Sequence, residues 1–385
     1  MTAFPEITFW IGLSALVYTY LGYPVVLWIL SRVTPLKETH LDAAFPRTTM
    51  VIAAYNEAKV IAAKLENCLA LDYPAGELNF IVASDGSSDA TNLIVSRKAA
   101  LEPRIRLLSL PRGGKAASIN AAMKEAEGEI VVFSDANTLY EPVALGKLIN
   151  HFADTKTGCV CGRLSYQNPD TVISGRGESA YWRYETALKK MESKLGYVAG
   201  ANGAIYAIRK NLFEPLPAGT INDDFFISMR IVLRGFKCLY DSEAVAYEEV
   251  APDVRSEFRR HVRDGAGHYI AIRQLIGLLN PLLGLRAFIY WSHRILRWAA
   301  PFILICVLAA NAVISVRQPY SLLFLLQTGF YFAALIGYCI SHWRKVPFIV
   351  YVPFYFCNLN LALLFGFFRV LSGRVRPTWE STQRV

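Results

Sequence analysis

From Thr8 to Leu30 the chain reads TFWIGLSALVYTYLGYPVVLWIL, a run without a charged residue. A helix rises about 1.5 Å per residue, so this run can cross a hydrocarbon core of roughly 30 Å. Inside lipid every backbone amide must be satisfied, which a helix does within its own segment. Met1 to Phe9 carries only Glu6 and lacks the basic start of a secretory leader, so the helix is expected to be retained. Hydrophobic residues fill 54% of the 385 positions, too many for an ordinary soluble domain. Three further apolar runs centre on residues 299–315, 321–340 and 347–371. The first two read as spans. The third contains Pro353, Asn358 and Asn360 and is expected to be re-entrant or interfacial.

Charge places these runs relative to the rest. With the soluble part on the cytoplasmic side, Arg32 and Lys37 after the first helix and His342, Arg344 and Lys345 between the later runs all lie inside. Arg369, Arg374, Arg376 and Arg384 draw the C-terminus inside as well, which a re-entrant last segment allows. The net charge of +9 is dispersed and crowds near the apolar runs, with no basic and aromatic interleaving, so no nucleic-acid partner is expected. A membrane-facing or phosphate-facing role fits it better. The seven cysteines lack paired C-x-x-C spacing and read as reduced structural thiols.

Between Thr48 and about Glu248 the pattern changes. TTMVIAA, LNFIVAS, IRLLSL and EIVVFSD read as strands, followed by helices from Glu57, Ser88, Lys115 and Glu141. Strands separated by helices imply parallel βαβ units and an α/β, doubly wound sheet. The chain is therefore divided into a membrane helix (1–32), a linker (33–47), the α/β domain (48–250), amphipathic interfacial helices (251–290), membrane segments (291–372) and a tail (373–385).

In such sheets ligands bind beyond the carboxyl ends of the strands. Tyr55 and Glu57, Asp85 and Asp135 all fall at such ends. Asp85 is expected to stand without a protein partner, awaiting a ligand; the alternative is a turn in which Asp89 caps a helix. Asp135 and Asn137 offer two oxygens suited to Mg²⁺ or Mn²⁺ with substrate phosphates. Gly113, Gly114 and Lys115 open a helix, where amides and an ammonium favour phosphate, or simply start the helix. Asp223 and Asp224 precede another helix, as caps or as a general base. Arg259, Arg260 and Arg263 suit either anionic lipid or a diphosphate.

The ordered set AYNEA, SDGSSD, GGKAASIN, FSDAN, GANGAIYAIRK, NDD and RRHVRDG resembles the processive membrane-bound family 2 glycosyltransferases, which include hyaluronan, chitin, poly-N-acetylglucosamine and cellulose synthases. The resemblance implies a GT-A domain flanked by transmembrane helices at the inner membrane. It implies inverting transfer from a UDP-sugar to a polysaccharide or lipid-linked acceptor, with a divalent cation. Tyr55, Glu57 and Asp85 then contact the nucleoside, Lys115, Arg260 and Arg263 the diphosphate, and Asp135 and Asn137 the metal. Asp224 becomes the base, with Gly203 and Asp223 at the acceptor.

Several positions depart from that pattern. Asn137 replaces an Asp, Asp223 a Glu, and Arg260-His261-Val262-Arg263-Asp264 replaces Q-x-x-R-W, removing the tryptophan on which an acceptor sugar would stack. The tail WESTQR resembles the W-x-x-T-x-R ending of some relatives, on the cytoplasmic side. So few helices favour help from a partner subunit or second copy for a polymer path. The alternatives are transfer to polyprenyl phosphate, or a silent nucleotide-sugar-binding module.

Overall fold

The computed structural model describes residues 3–34, 45–167, 175–249, 254–341 and 347–375. Lys37, His342, Arg344, Lys345, Arg376, Arg384 and the WESTQR ending lie outside the described residues. The first apolar run forms α1 (Ala3–Val17), a π-helical turn (Tyr18–Gly22) and α2 (Tyr23–Val33), together one 31-residue helix. Pro24 has no N–H to return to Tyr20, and the ladder widens into the π turn just ahead of it.

The alternating region folds as its pattern requires. It runs β1 (Thr48–Ala54), α3 (Ile61–Leu69), β2 (Leu78–Asp85), α4 (Thr91–Leu101), β3 (Ile105–Leu110), α5 (Lys115–Glu125) and β4 (Ile130–Asp135). Strands β3, β2, β1 and β4 lie side by side and parallel. Every residue of β1 is buried, as a strand covered on both faces must be. The helices after β1 and β2 start at Ile61 and Thr91 rather than at Glu57 and Ser88, because the intervening residues form the strand-end loops.

The rest is β5 (Leu139–Tyr140), α6 (Ala144–Asn150), β6 (Thr157–Gln167), α7 (Gly175–Lys194), β7 (Tyr206–Arg209), α8 (Asp223–Leu233) and β8 (Lys237–Glu249). Beyond the four parallel strands the sheet becomes mixed. The eight strands follow the order β3-β2-β1-β4-β7-β6-β8-β5, and β7 is antiparallel to both β4 and β6. The register pairs Phe133 with Tyr206 and Ile130 with Arg209, so β7 starts beside the end of β4. Residues 199–205, which feed β7, are thereby held at the carboxyl edge of the sheet, over the crevice.

α9 (Val254–Gln274) leaves the sheet, and α10 (Leu285–Ile289) continues through a π-helical turn (Tyr290–Ile295) into α11 (Leu296–Ile314). α12 (Tyr320–Ser341) and α13 (Phe348–Leu371) follow. Among the described residues four helices are long and apolar enough to cross a membrane: Ala3–Val33, Leu285–Ile314, Tyr320–Ser341 and Phe348–Leu371. The last segment shows no interruption: α13 is one unbroken helix through Pro353. Asn360, buried within it, donates Nδ2 to Phe356 O at 2.9 Å, so its NH₂ is taken up by the helix's own backbone without breaking the helix. Its later half lies along α9, where Gly366 is needed for close approach: a Cβ there would meet Ala266 N at 2.7 Å. α1 packs on α11 through Phe9, Val307, Ala310 and Ile314.

Candidate active site

The pairing of Ala54 with Ser84 and of Ala53 with Asp135 sets the ends of β2 and β4 on either side of β1, so Tyr55, Asp85 and Asp135 share one edge. The loops there are knitted together. Asn56 N donates to Ser87 Oγ at 3.1 Å, Ser88 N donates to Asn56 Oδ1 at 2.8 Å, and Glu57 N donates to Thr91 Oγ1 at 2.9 Å. Asp89 accepts from Thr91 N and Ala58 N, each at 3.0 Å, and so caps α4 while tying down the β1 loop.

Asp85 is fully buried, and the expectation that it stands without a protein partner is corrected. Its carboxylate pairs with Arg112 and accepts from Gly113 N at 2.7 Å and Gly114 N at 2.9 Å. A buried carboxylate requires such compensation. The two amides that open α5 are therefore engaged by Asp85. The Arg112 guanidinium also lies 3.3 Å from the centroid of the Tyr55 ring. Arg112 was not singled out from the sequence, although an arginine just before Gly-Gly and opposite a buried aspartate is the signal for it.

Lys115, the first residue of α5, reaches from this side to the centre. Its Nζ lies 2.9 Å from Asp135 Oδ1 and 3.5 Å from Asp223 Oδ1. Asp223 and Asp224 begin α8, so the acids project from a helix start, where negative charge is favoured. Asp223 faces Lys115. Asp224 faces residues 199–205: a Cβ on Gly203 would lie 3.3 Å from Asp224 Oδ2, and glycine leaves that space open.

Burial acts first on these acids. It pushes the Asp223 carboxyl up to about 6; Lys115 opposes the shift, and the charges of Asp224 and Asp135 add to it. Asp223 Oδ2 is buried with no hydrogen-bond partner among the described residues, in keeping with that shift. Asp224 is raised too, by burial against the pull of Lys115. For Lys115 burial opposes the charge, but Asp135, Asp223 and Asp224 outweigh it and hold the ammonium above its ordinary range. A permanent cation thus sits against carboxyls that retain affinity for a proton.

On the far side of Asp135, Asn137 Nδ2 donates to Glu248 Oε1 at 2.6 Å across 111 residues of sequence. Nothing local in the sequence announces Glu248. Among the described residues no group of three or more His, Cys, Asp or Glu is arranged to hold a metal ion. Asp135 and Asn137 are hard oxygen donors, and so few protein donors fit a cation that completes its shell with phosphates and water. Arg260 is half-buried on α9, and Arg263 pairs with Asp264 at 3.2 Å. α9 meets the site through Asp264 O, which accepts from Asn222 Nδ2 at 2.9 Å, one residue before Asp223.

A mixed α/β sheet of this order, with acids and a lysine converging at its carboxyl edge, is the GT-A architecture of a glycosyltransferase. The family model described as Glycosyl transferase family 2 matches residues 49–215, and that segment is a family 2 glycosyltransferase domain. The chain is related to polysaccharide synthases. It is 25% identical over 237 residues to a poly-beta-1,6-N-acetyl-D-glucosamine synthase of Staphylococcus aureus (strain COL), covering 60% of this chain and 57% of that protein's length. The enzyme of the same name from Staphylococcus epidermidis is 24% identical over 363 residues, 87% of each chain. In fold the chain is similar to the mannosyltransferase PcManGT from Pyrobaculum calidifontis, solved with GDP-Man and Mn²⁺. The TM-score is 0.70 at 22% identity, over 95% of this chain and 99% of that one.

Proposed function

We propose that this chain transfers a sugar, with inversion, from a UDP-sugar to a growing polysaccharide or lipid-linked acceptor at the cytoplasmic face of the inner membrane. The observation that carries the reading is the cluster of Lys115, Asp135, Asp223 and Asp224, which sets a cation for a diphosphate beside carboxyls able to take a proton. Tyr55 and Glu57 line the nucleoside side, and the buried Asp85 holds Arg112 and the Gly113 and Gly114 amides behind them. Asp224 takes the proton of the acceptor hydroxyl, the acceptor oxygen attacks the anomeric carbon, and the bond to the diphosphate breaks in the same displacement. Lys115, with Arg260 and Arg263 from α9, neutralises the departing diphosphate. Asp135 and Asn137 would hold Mg²⁺ or Mn²⁺, which supplies further charge stabilisation when bound.

Asp264 favours one second reading. It stands where the resemblance would place an acceptor-stacking tryptophan, and transfer to an anionic polyprenyl phosphate needs neither that face nor a base.

The test is nucleoside diphosphate release by detergent-purified protein across a panel of UDP-sugars and GDP-mannose, with Mg²⁺, Mn²⁺ or chelator. Release with one donor, abolished by chelator, is expected; no release from any donor by folded protein overturns the reading. The pH profile is a second prediction. With Asp223 pushed up to about 6 and Asp224 raised beside it, kcat/KM should climb with pH as the two acids ionise and level off once both are charged. As pH falls the raised carboxyls take up protons, and an Asp224 already protonated cannot accept the proton of the acceptor hydroxyl. A profile flat between about pH 5 and about pH 8 contradicts the assignment of the base to this pair.

A further inference from the structure

We infer that Glu248 is a positioning residue for the cation site: it fixes which way Asn137 points and returns the negative charge that an amide at that position lacks. This rests on the reading of Asp135 and Asn137 as cation donors. An asparagine side chain presents an oxygen on one edge and an NH₂ on the other, and only the oxygen serves a cation. An ionised carboxylate accepts hydrogen bonds and donates none, so the Asn137 atom 2.6 Å from Glu248 Oε1 is the NH₂. Asn137 Oδ1 is thereby turned away from Glu248 and held there.

The fold imposes this meeting. β5 pairs antiparallel with β8, Leu139 opposite Tyr247 and Tyr140 opposite Ala246, which brings the residues just ahead of β5 against Glu248. Glu248 is itself anchored in the sheet, paired in register with Tyr166 of β6. Charge gives a second reason. One oxygen of Asp135 already faces the Lys115 ammonium at 2.9 Å, which offsets the only formal charge that the Asp135 and Asn137 pair brings. The half-buried Glu248 carboxylate restores a negative charge directly behind Asn137. Partners that orient a metal ligand in this way typically contribute about 10–100-fold to metal affinity.

The experiment is Mn²⁺ binding by the full-length protein in detergent with UDP present, followed by loss of the free Mn²⁺ electron paramagnetic resonance signal, with no turnover involved. Glu248→Ala is expected to weaken Mn²⁺ binding by about 10–100-fold while UDP binding without metal stays unchanged. Glu248→Gln, which keeps size and an acceptor oxygen but not the charge, should fall between. The exchange Asn137→Asp with Glu248→Gln should bring affinity back to at least the wild-type level, because the new amide at 248 donates to the new carboxylate at 137. A merely structural role for Glu248 would not produce that recovery, and thermal midpoints of all variants identify any that fail to fold. Mn²⁺ binding lost in Asp135→Ala but unchanged in both Glu248 variants overturns this inference alone. Wild-type protein that binds UDP and takes up no Mn²⁺ overturns the cation reading and this inference with it.

Discussion

Asp224→Asn is expected to lower the turnover of sugar transfer by about 10²–10⁴-fold, the range a positioned general base contributes. UDP affinity should stay within about twofold, because the proposal sets Asp224 against the acceptor. The substitution preserves shape and leaves the Lys115 contacts to Asp135 and Asp223 in place. It removes the one property the proposal needs, a half-buried carboxylate with raised proton affinity beside Gly203. Steady-state rates at saturating donor, with UDP affinity from calorimetry, check it. Near-full turnover would mean that the acceptor arrives already ionised, and would move the assignment to polyprenyl phosphate. Loss of UDP affinity in parallel with turnover would instead place Asp224 among the donor contacts.

The parts of this site that could be read from the sequence are those fixed by local pattern. β1, β2 and β4 are runs of almost wholly buried residues that give way to polar ones, so Asp85 and Asp135 could be placed at strand ends from the local pattern alone. Long-range pairing carries no such signature. β7 is only Tyr206–Arg209, and its antiparallel direction follows from where residues 199–205 sit, not from its own composition. The Asp85–Arg112 and Asn137–Glu248 contacts are likewise matters of register, as is the unbroken course of α13, where a proline and asparagines suggested an interruption. The expectation about Asp85 failed for a physical reason: a fully buried carboxylate needs compensation within the protein, and two glycine amides and a guanidinium supply it.

Glu192→Ala is expected to destabilise the junction between the sheet domain and its membrane helices by about 3–5 kcal/mol, the cost of breaking a buried, hydrogen-bonded charge pair. Glu192, on α7, is fully buried; it accepts from the Tyr23 hydroxyl of α2 at 2.6 Å and from Ala199 N at 3.0 Å, and it pairs with His293 Nδ1. The other ring nitrogen of His293 faces Glu185 at 3.3 Å, and Glu185 also pairs with Arg297. Burial opposes the charge on both glutamates, but Arg297 with His293 outweighs it at Glu185, and His293 with its hydrogen bonds does so at Glu192. Both carboxyls therefore lie below their usual range. Such groups stabilise the fold fully above an unfolded value of about 4.3, and the contribution is lost as pH falls toward the folded value. Truncating Glu192 leaves the hydroxyl, the imidazole and the amide without their acceptor.

The effect should not stop at stability. Arg294, on the same π-helical turn as His293, donates Nε to Ala199 O at 2.6 Å and lies over the ring of Phe225, the neighbour of Asp224. The Ala199 peptide is thus gripped at its amide by the domain and at its carbonyl by a membrane helix. Two residues on, Ala201 N donates to Ser228 Oγ of α8 at 2.9 Å, which ties residues 199–205 to the helix that carries Asp223 and Asp224. Glu192→Ala should therefore lower the thermal midpoint in detergent and reduce transfer even at temperatures where the protein stays folded, while Glu192→Gln, which keeps an acceptor oxygen, loses less of each. A lowered midpoint with full activity in the cold would show that the buried junction only holds the two parts together. Loss of both ties the position of the acceptor-facing residues to the membrane helices.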